Sequence, residues 1–494
     1  MKKSTKLLSL TMAATMAMSL AACGASSDTS TGSTATDSTA TGGTAAAAGD
    51  IVNLRWVTVG SGMPENYDAW AAKMNEYLGE KIGVNIDVEV VPWGDWDNRR
   101  NVIVSTSGDY DILFTNEKTY TNDVKTGAFL NLDDLIASSA PELYKIVPEK
   151  YWEACKVDGS IYAVPTYKDS SQSEFIVWDK ELAASTGIDV SKIHTLDEMT
   201  APLSAIHKST GTASFPLYKS GATYLTYEYD MMSAGLYAMG VRYDDANAKV
   251  VATYEQPDVM KSLSIYRDWY KQGIINSDAA TKPEENNYKP CNIAQGWAGA
   301  AVTSWGPQMG VEAVAYQWGP TIISNDTVRG SLNCISSNCK NPEKALAFLQ
   351  LVNTDTWVRD SFYYGLEGTD WEYTADKKVH RNSADWKMAG YTQGTFFAVT
   401  PTDEVGFNQW DEVKELNEKA SPSVLLGFTL DITPISDQLA NCIAINERYK
   451  GELLSGTQDP VTFVPSMMAE MRAAGFDDIV AEAQKQVDAF MASK

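Results

Sequence analysis

The 494 residues include 14 tryptophans and 24 tyrosines. With Asp, Glu, Asn and Gln beside them, such rings can stack on the C–H face of a polyhydroxylated ligand while planar polar groups bond its hydroxyls. Trp93 and Trp96 lie just past an alternating strand, Val84 to Val90, at the end where open α/β sheets place ligands. Trp305 follows a small-residue stretch, Ala300 to Thr303, that reads as a short strand. Ser304, Gly306 and Pro307 then form a tight turn that leaves its indole projecting, so Trp305 is the sharpest candidate for stacking. Tyr364 and Glu367 sit in a turn-rich aromatic stretch, Tyr363 to Gly368. Asp111, where a strand begins, suits either hydroxyl binding or capping, and Tyr167 is a further candidate. Trp56 and Trp178 fall inside apparent strands and belong to the core.

Other chemistry finds less support. A glycosidase needs two carboxylates about 5–9.5 Å apart; Asp95 with Asp97, or Glu367 with Asp370, could supply them, but nothing separates these from solvated acids. No G-x-S-x-G elbow, Walker A loop or H-E-x-x-H motif occurs. The three histidines, His194, His207 and His380, share no metal-ligand spacing, so neither metal nor cofactor is expected. Cys155, Cys291, Cys334, Cys339 and Cys442 are too few and too scattered for a disulfide framework. Cys334 and Cys339 could pair, although buried free thiols suit the pattern better.

The elements that must position the aromatics alternate. Asn53 to Val59 reads as a strand. A helical stripe of Tyr67, Trp70, Met74, Tyr77 and Lys81 stops near Gly83, and the alternating strand Val84 to Val90 follows. Asp97 to Ser105 reads as a helix, and Asp111 to Phe114 and Glu174 to Trp178 as buried strands. Helices follow over Val259 to Gln272 and from Asn341-Pro342-Glu343 onward. Three more close the chain: Ile435 to Leu454, Val464 to Ala474 and Asp477 to Met491. Strands alternating with helices imply a parallel α/β sheet.

The start of the chain is of another kind. Lys2, Lys3 and Lys6 precede an apolar stretch, Leu7 to Leu20, too short to span a bilayer, and small residues follow it: the layout of a secretory signal. Leu20-Ala21-Ala22-Cys23 resembles the lipobox of bacterial lipoproteins, which implies cleavage before Cys23 and acylation of its thiol. Gly24 to Gly49 is almost entirely Ser, Thr, Gly, Ala and Asp. It cannot repay its ordering entropy and is expected to act as a flexible tether. The formal net charge is −24, and three lysines leave with the signal. Such acidity disfavours nucleic acid and anionic lipid surfaces.

The order of segments resembles the extracellular solute-binding proteins of ABC importers, in the maltose-binding-protein-like branch. The resemblance rests on Ser107-Gly108-Asp109-Tyr110-Asp111-Ile112, on Gly127 to Ile136 with Ala140-Pro141 after it, on Tyr162-Ala163-Val164-Pro165, on Ala300 to Pro307, and on Arg329 through Asn341. The end, with Ser421-Pro422 and Gly427-Phe428, resembles the uncharacterised C-terminal domain of large sugar-binding lipoproteins of Gram-positive bacteria. The resemblance implies an α/β, two-lobed periplasmic-binding-protein-like (type II) fold with an interlobe cleft, hinge crossings and a helical C-terminal region. It also implies a division into a signal peptide (1–22), a tether (23–49), a first lobe (50–166 with 331–374) and a second lobe (167–330 with 375–494). The implied function is capture of an oligosaccharide for ABC permease subunits by a monomer that a lipid holds at the outer face of the cell membrane. A secreted glycosidase, or a surface lipoprotein that docks polysaccharide without transport, are the alternatives.

Overall fold

A computed structural model describes residues 51–106, 109–284 and 288–494. The signal peptide, Cys23, the tether and the Ser107-Gly108 pair of the first motif lie outside the described residues.

The chain opens β-α-β. Strand β1 (Val52–Gly60) leads to helix α1 (Tyr67–Ile82), which buries Trp70, Met74 and Leu78. Pro64 precedes this helix by a turn rather than opening it. The helix ends on Gly83, whose φ of 66° is a left-handed cap that a Cβ would strain. Strand β2 (Val84–Pro92) pairs with β1 in parallel along its length, helix α2 covers Trp96–Ser105, and β3 (Ile112–Thr115) adds in parallel on the other side of β1.

After the short β4 (Val164–Pro165) the chain leaves this sheet. Strand β5 (Gln172–Asp179) begins a second one, and helices α3 (Leu196–Thr210) and α4 (Pro257–Lys271) pack against it. Strands β6 (Cys291–Gln295) and β7 (Ala313–Ile323) complete most of that sheet. The five-residue helix α5 (Asn325–Arg329) then returns the chain to β8 (Leu332–Ile335) in the first. Helices α6 (Pro342–Thr354) and α7 (Thr356–Tyr364) follow. Helix α8 (Gln409–Lys419) and β9 (Ser421–Pro422) rejoin the second sheet, and α9 (Ser436–Leu453), α10 (Pro460–Ala473) and α11 (Phe476–Ser493) close the chain.

The two sheets have orders β2-β1-β3-β8-β4 and β6-β5-β7-β9. In the first sheet β2, β1 and β3 run parallel while β8 is antiparallel to β3 and β4; in the second, β5 is antiparallel to β6 and β7, and the short β9 is parallel to β7. The expected parallel sheet thus holds for one half only. A chain that crosses between lobes must enter each sheet from the shared edge and leave by it, which reverses alternate strands. One core holds Trp56, Ile112, Phe114 and Phe348. The other holds Ile176, Trp178 and Trp269 together with Met467, Met468, Ile479 and Val487 from the C-terminal helices. Each sheet has its own core, so the fold has two lobes.

Two expectations need correction. Ala300 to Thr303 is not a strand: Ala301–Trp305 is a helical turn, and the strand of this region is β6. The first lobe also keeps the chain past residue 374. The Ser61 N–H donates to Lys387 O (2.7 Å), Ala389 N–H donates to Val59 O (3.2 Å), and Met388 and Ala389 enter the first core. The hairpin Trp371–Tyr373 with Val379–Arg381 explains the stay, because it folds back on α7 through Tyr373 Oη and Asp360 (2.7 Å). All five described cysteines, Cys334 and Cys339 included, are free thiols. No helix among the described residues is long and apolar enough to cross a membrane.

Candidate functional site

Three segments cross between the lobes, at 166–171, 324–331 and 400–408. The first two are tied to each other, and to the loop that carries Thr392, at one buried point. Thr166 Oγ1 lies 3.0 Å from Ser331 Oγ, and both hydroxyls donate to Thr392 O at 3.2 Å. On α8, Asn417 is buried and clamps the first crossing: Ser171 N–H and Oγ donate to its Oδ1 at 3.1 and 2.9 Å. Arg359, fully buried, donates to Thr395 O (2.7 Å), Gly390 O (2.7 Å) and Gly394 O (3.1 Å), which shapes the loop that carries Tyr391 and Thr392.

The first lobe's wall is the edge where β1, β2 and β3 end. Trp93 stands there, 45% exposed. It lies nearly parallel to the exposed Tyr391 (6.5 Å between centroids, 12° between planes) and edge-on to Phe114 at 5.9 Å. The pair is a flat aromatic platform resting on one buried ring.

The second lobe's wall is a cavity of about 360 Å³ against the hinge end of its sheet. Strand register sets Glu174, Gln295 and Trp318 on one sheet face. Tyr224 and Tyr227 pack on Trp318 at 6.0 and 5.6 Å, and Tyr229, Tyr237 and Tyr243 also line the cavity. A break in the β7 register after Trp318, with Gly319 at φ 72°, turns Pro320 O toward Tyr227 Oη, which donates to it at 3.2 Å. Through Gln172, Gln295, Asp326 and Thr327 this cavity continues into another that reaches Glu117 on the first lobe and the Lys168–Asp169 pair (2.6 Å) at the hinge.

Three carboxylates, Glu174, Asp230 and Asp326, also line the cavity. Glu174 is 2% exposed; Gln172 Nε2 donates to its Oε1 at 2.8 Å, and burial pushes its pKa up to about 7. Burial also raises Asp230, helped by the nearby Asp326, although Ser423 Oγ (2.7 Å) and Met232 N–H (2.8 Å) donate to it. Below about pH 4.5 Glu174 is protonated in folded and unfolded chains alike and costs nothing. As the pH rises toward 7 the unfolded chain loses the proton first, so the folded state is disfavoured by about 3 kcal/mol at pH 8. Glu174→Gln should therefore melt like the parent near pH 4.5 and several degrees higher at pH 8. Coincident melting curves at pH 8 would contradict this.

Of the residues singled out by sequence, only Trp93 stands open at the ligand end of a sheet. Trp96 is 4% exposed, because the first turn of α2 carries it inward against Phe114 (5.4 Å). Tyr167 is buried at the hinge between Tyr151 (5.0 Å) and Phe397 (4.6 Å). Tyr364 is buried in a satellite aromatic core and donates to Thr400 O (2.7 Å). Glu367 is held against α1 and α7 by Lys73 (2.8 Å) and Trp357 Nε1 (3.0 Å), which lower its pKa against the opposing effect of burial. Asp370 accepts Asn66 Nδ2 (2.9 Å) and Leu366 N–H (2.8 Å). Asp111 accepts Arg55 N–H (2.9 Å) at the start of β3, the opposite edge of the sheet from Trp93.

Trp305 is half-buried and packs on Phe175 (6.2 Å), on the sheet face opposite Glu174. It also lies so close to Gly296 that a Cβ there would come within 2.8 Å of its ring. The aromatic turn that follows a strand to the hinge is Gly296-Trp297, after β6. Trp305→Ala should lower stability by about 2–3 kcal/mol, less than a fully buried tryptophan would cost, and shift ligand affinity by less than about threefold. A tenfold affinity loss with an unchanged melting temperature would restore the stacking role.

The sequence reading missed the tyrosine wall. Six of the 24 tyrosines fall between Tyr218 and Tyr243, and that density was the available signal.

Comparison with known proteins supplies the family. The bacterial extracellular solute-binding protein family matches residues 60–358, more than half of the chain. This chain belongs to that family. A domain of unknown function matches residues 424–492, the C-terminal helices that complete the second core. A carbohydrate ABC transporter substrate-binding protein of Streptococcus pneumoniae is 26% identical over 462 residues, 91% of this chain and 93% of that one. The crystal structure of the N-glycan transport solute-binding protein from the same species superposes with a TM-score of 0.82 at 25% identity, covering 89% of this chain and 99% of that one. Its complex with Man5GlcNAc superposes at 0.70 and 24% identity, over 90% and 99%. Among the described residues no group of three or more His, Cys, Asp or Glu side chains is arranged to hold a metal.

Proposed function

We propose that this protein captures an oligosaccharide between its lobes and delivers it to the membrane subunits of an ABC importer. The observation that carries the reading is the pairing of two unlike walls across one hinge. The first lobe offers an exposed, nearly parallel aromatic pair for the apolar face of a sugar ring; the second offers buried carboxylates for its hydroxyls, set among tyrosines. A ligand touching both walls stabilises the closed arrangement by contacts that exist only there. The likeness to a carbohydrate-transport relative supports the substrate class. The protein acts as a monomer at the outer face of the membrane, held by an acyl chain on Cys23. Cys23→Ser should release it into the medium; retention with the membrane would contradict the anchor.

A melting screen against oligosaccharides tests the function, with Man5GlcNAc and a malto-oligosaccharide included. A ligand at one hundred times its Kd adds about 2.7 kcal/mol of stability, a shift of several degrees. No shift with any oligosaccharide would count against the reading, and sugar cleavage in the same wells would favour a glycosidase.

A further inference from the structure

Resting on the carbohydrate reading, we infer that the second-lobe cavity selects a cationic sugar unit, a hexosamine with a free amine, and that Glu174 is the residue that reads it. The charged side chains lining the cavity are Glu174, Asp230 and Asp326; no Lys, Arg or His is among its lining residues. The neighbouring ammonium, Lys168, is already paired with Asp169. Asp230 and Asp326 have their own donors, in Ser423 and Ser233. Glu174 differs in burial: Gln172 serves Oε1, no hydrogen bond reaches Oε2, and the residue is buried, whereas Asp326, whose Oδ2 is likewise unbonded, is only half-buried.

The tyrosines sharpen the choice. Tyr227 gives its hydroxyl proton to Pro320 O, Tyr229 gives its own to Asp258 (2.9 Å), and Tyr224 shares a hydrogen bond with Tyr266 (2.7 Å). These three therefore have no hydroxyl proton to spare for a ligand; the Tyr229 ring already carries the Arg242 guanidinium (5.8 Å), which leaves Tyr224 and Tyr227 as the rings for a second cation. An ammonium brings charge and three donors to such a surface. An N-acetyl group brings neither the charge nor the three donors, and adds a carbonyl that finds few N–H or O–H groups. A uronate adds a like charge.

The test is calorimetric titration with three tetrasaccharides: one of glucosamine, its N-acetylated counterpart, and a galacturonate. The glucosamine form should bind at least tenfold tighter than the acetylated form, and the uronate should not bind. In Glu174→Gln, which is expected to fold at least as well as the parent, the preference should fall to near unity. Equal affinities in the parent, or a preference that survives in Glu174→Gln as general attraction to an acidic protein, would overturn the inference and leave carbohydrate binding standing. If no oligosaccharide of any charge binds, both fail.

Discussion

Arg359→Leu should be the most damaging single substitution in the first lobe, costing about 2–5 kcal/mol of stability and much of the ligand affinity with it. Three backbone carbonyls, of Gly390, Gly394 and Thr395, converge on this fully buried guanidinium. Hydrogen bonds to a charged group contribute about 1.5–3 kcal/mol each. Burial works against them: it lowers the Arg359 pKa to about 10, a cost of about 3 kcal/mol that leucine would remove. The bonds outweigh the burial, and leucine would also leave the carbonyls unpaired. In the proposed function the effect reaches binding, because the same loop sets Tyr391 beside Trp93 and Thr392 at the hinge. Arg359→Lys should not rescue, since an ammonium cannot reproduce the planar fork. Urea melts and ligand titrations measure both losses; a variant within about 0.5 kcal/mol of the parent would refute the role.

Trp93→Ala should have the opposite profile, a roughly tenfold to hundredfold loss of affinity with less than about 1 kcal/mol of stability. The ring is nearly half exposed and touches the fold through Phe114 and Tyr391, so little core is lost. Aromatic contact contributes about 0.5–1.5 kcal/mol beyond burial, and a central aromatic of a site 2 kcal/mol or more. Each 1.4 kcal/mol is tenfold in Kd. Tyr391→Ala should follow the same pattern, and the double variant should lose less than the sum because the rings support each other. Unchanged affinity in both single variants would remove the platform from the site.

How far the sequence reaches can be read from particular residues. The strand β1, the stripe of α1, its stop at Gly83 and the alternation of β2 are local patterns, and all are present in the fold. Local pattern fails where helical phase decides: Trp93 and Trp96 are three residues apart, yet the start of α2 leaves one open and buries the other. It fails again at 298–305, where alanine, glycine and threonine fit a strand or a helical turn equally well, and the helical turn sets Trp305 against Phe175. Glu367 is held by Lys73, 294 positions away, a pairing that no local pattern marks. The hinge knot of Thr166, Ser331 and Thr392 spans 226 positions and carries no local mark at all. The cavity draws on stretches from Gln172 to Ser423; only the density of tyrosines after Tyr218 pointed to it.

The central claim is that an oligosaccharide draws the two lobes together across this hinge. The distance between spin labels at the exposed positions Ala72, on α1 of the first lobe, and Ala184, beyond β5 in the second, tests it directly. With an oligosaccharide that raises the melting temperature, the distance distribution should move to a shorter, narrower peak. A distribution unchanged at saturation would contradict closure and place the ligand on a single lobe.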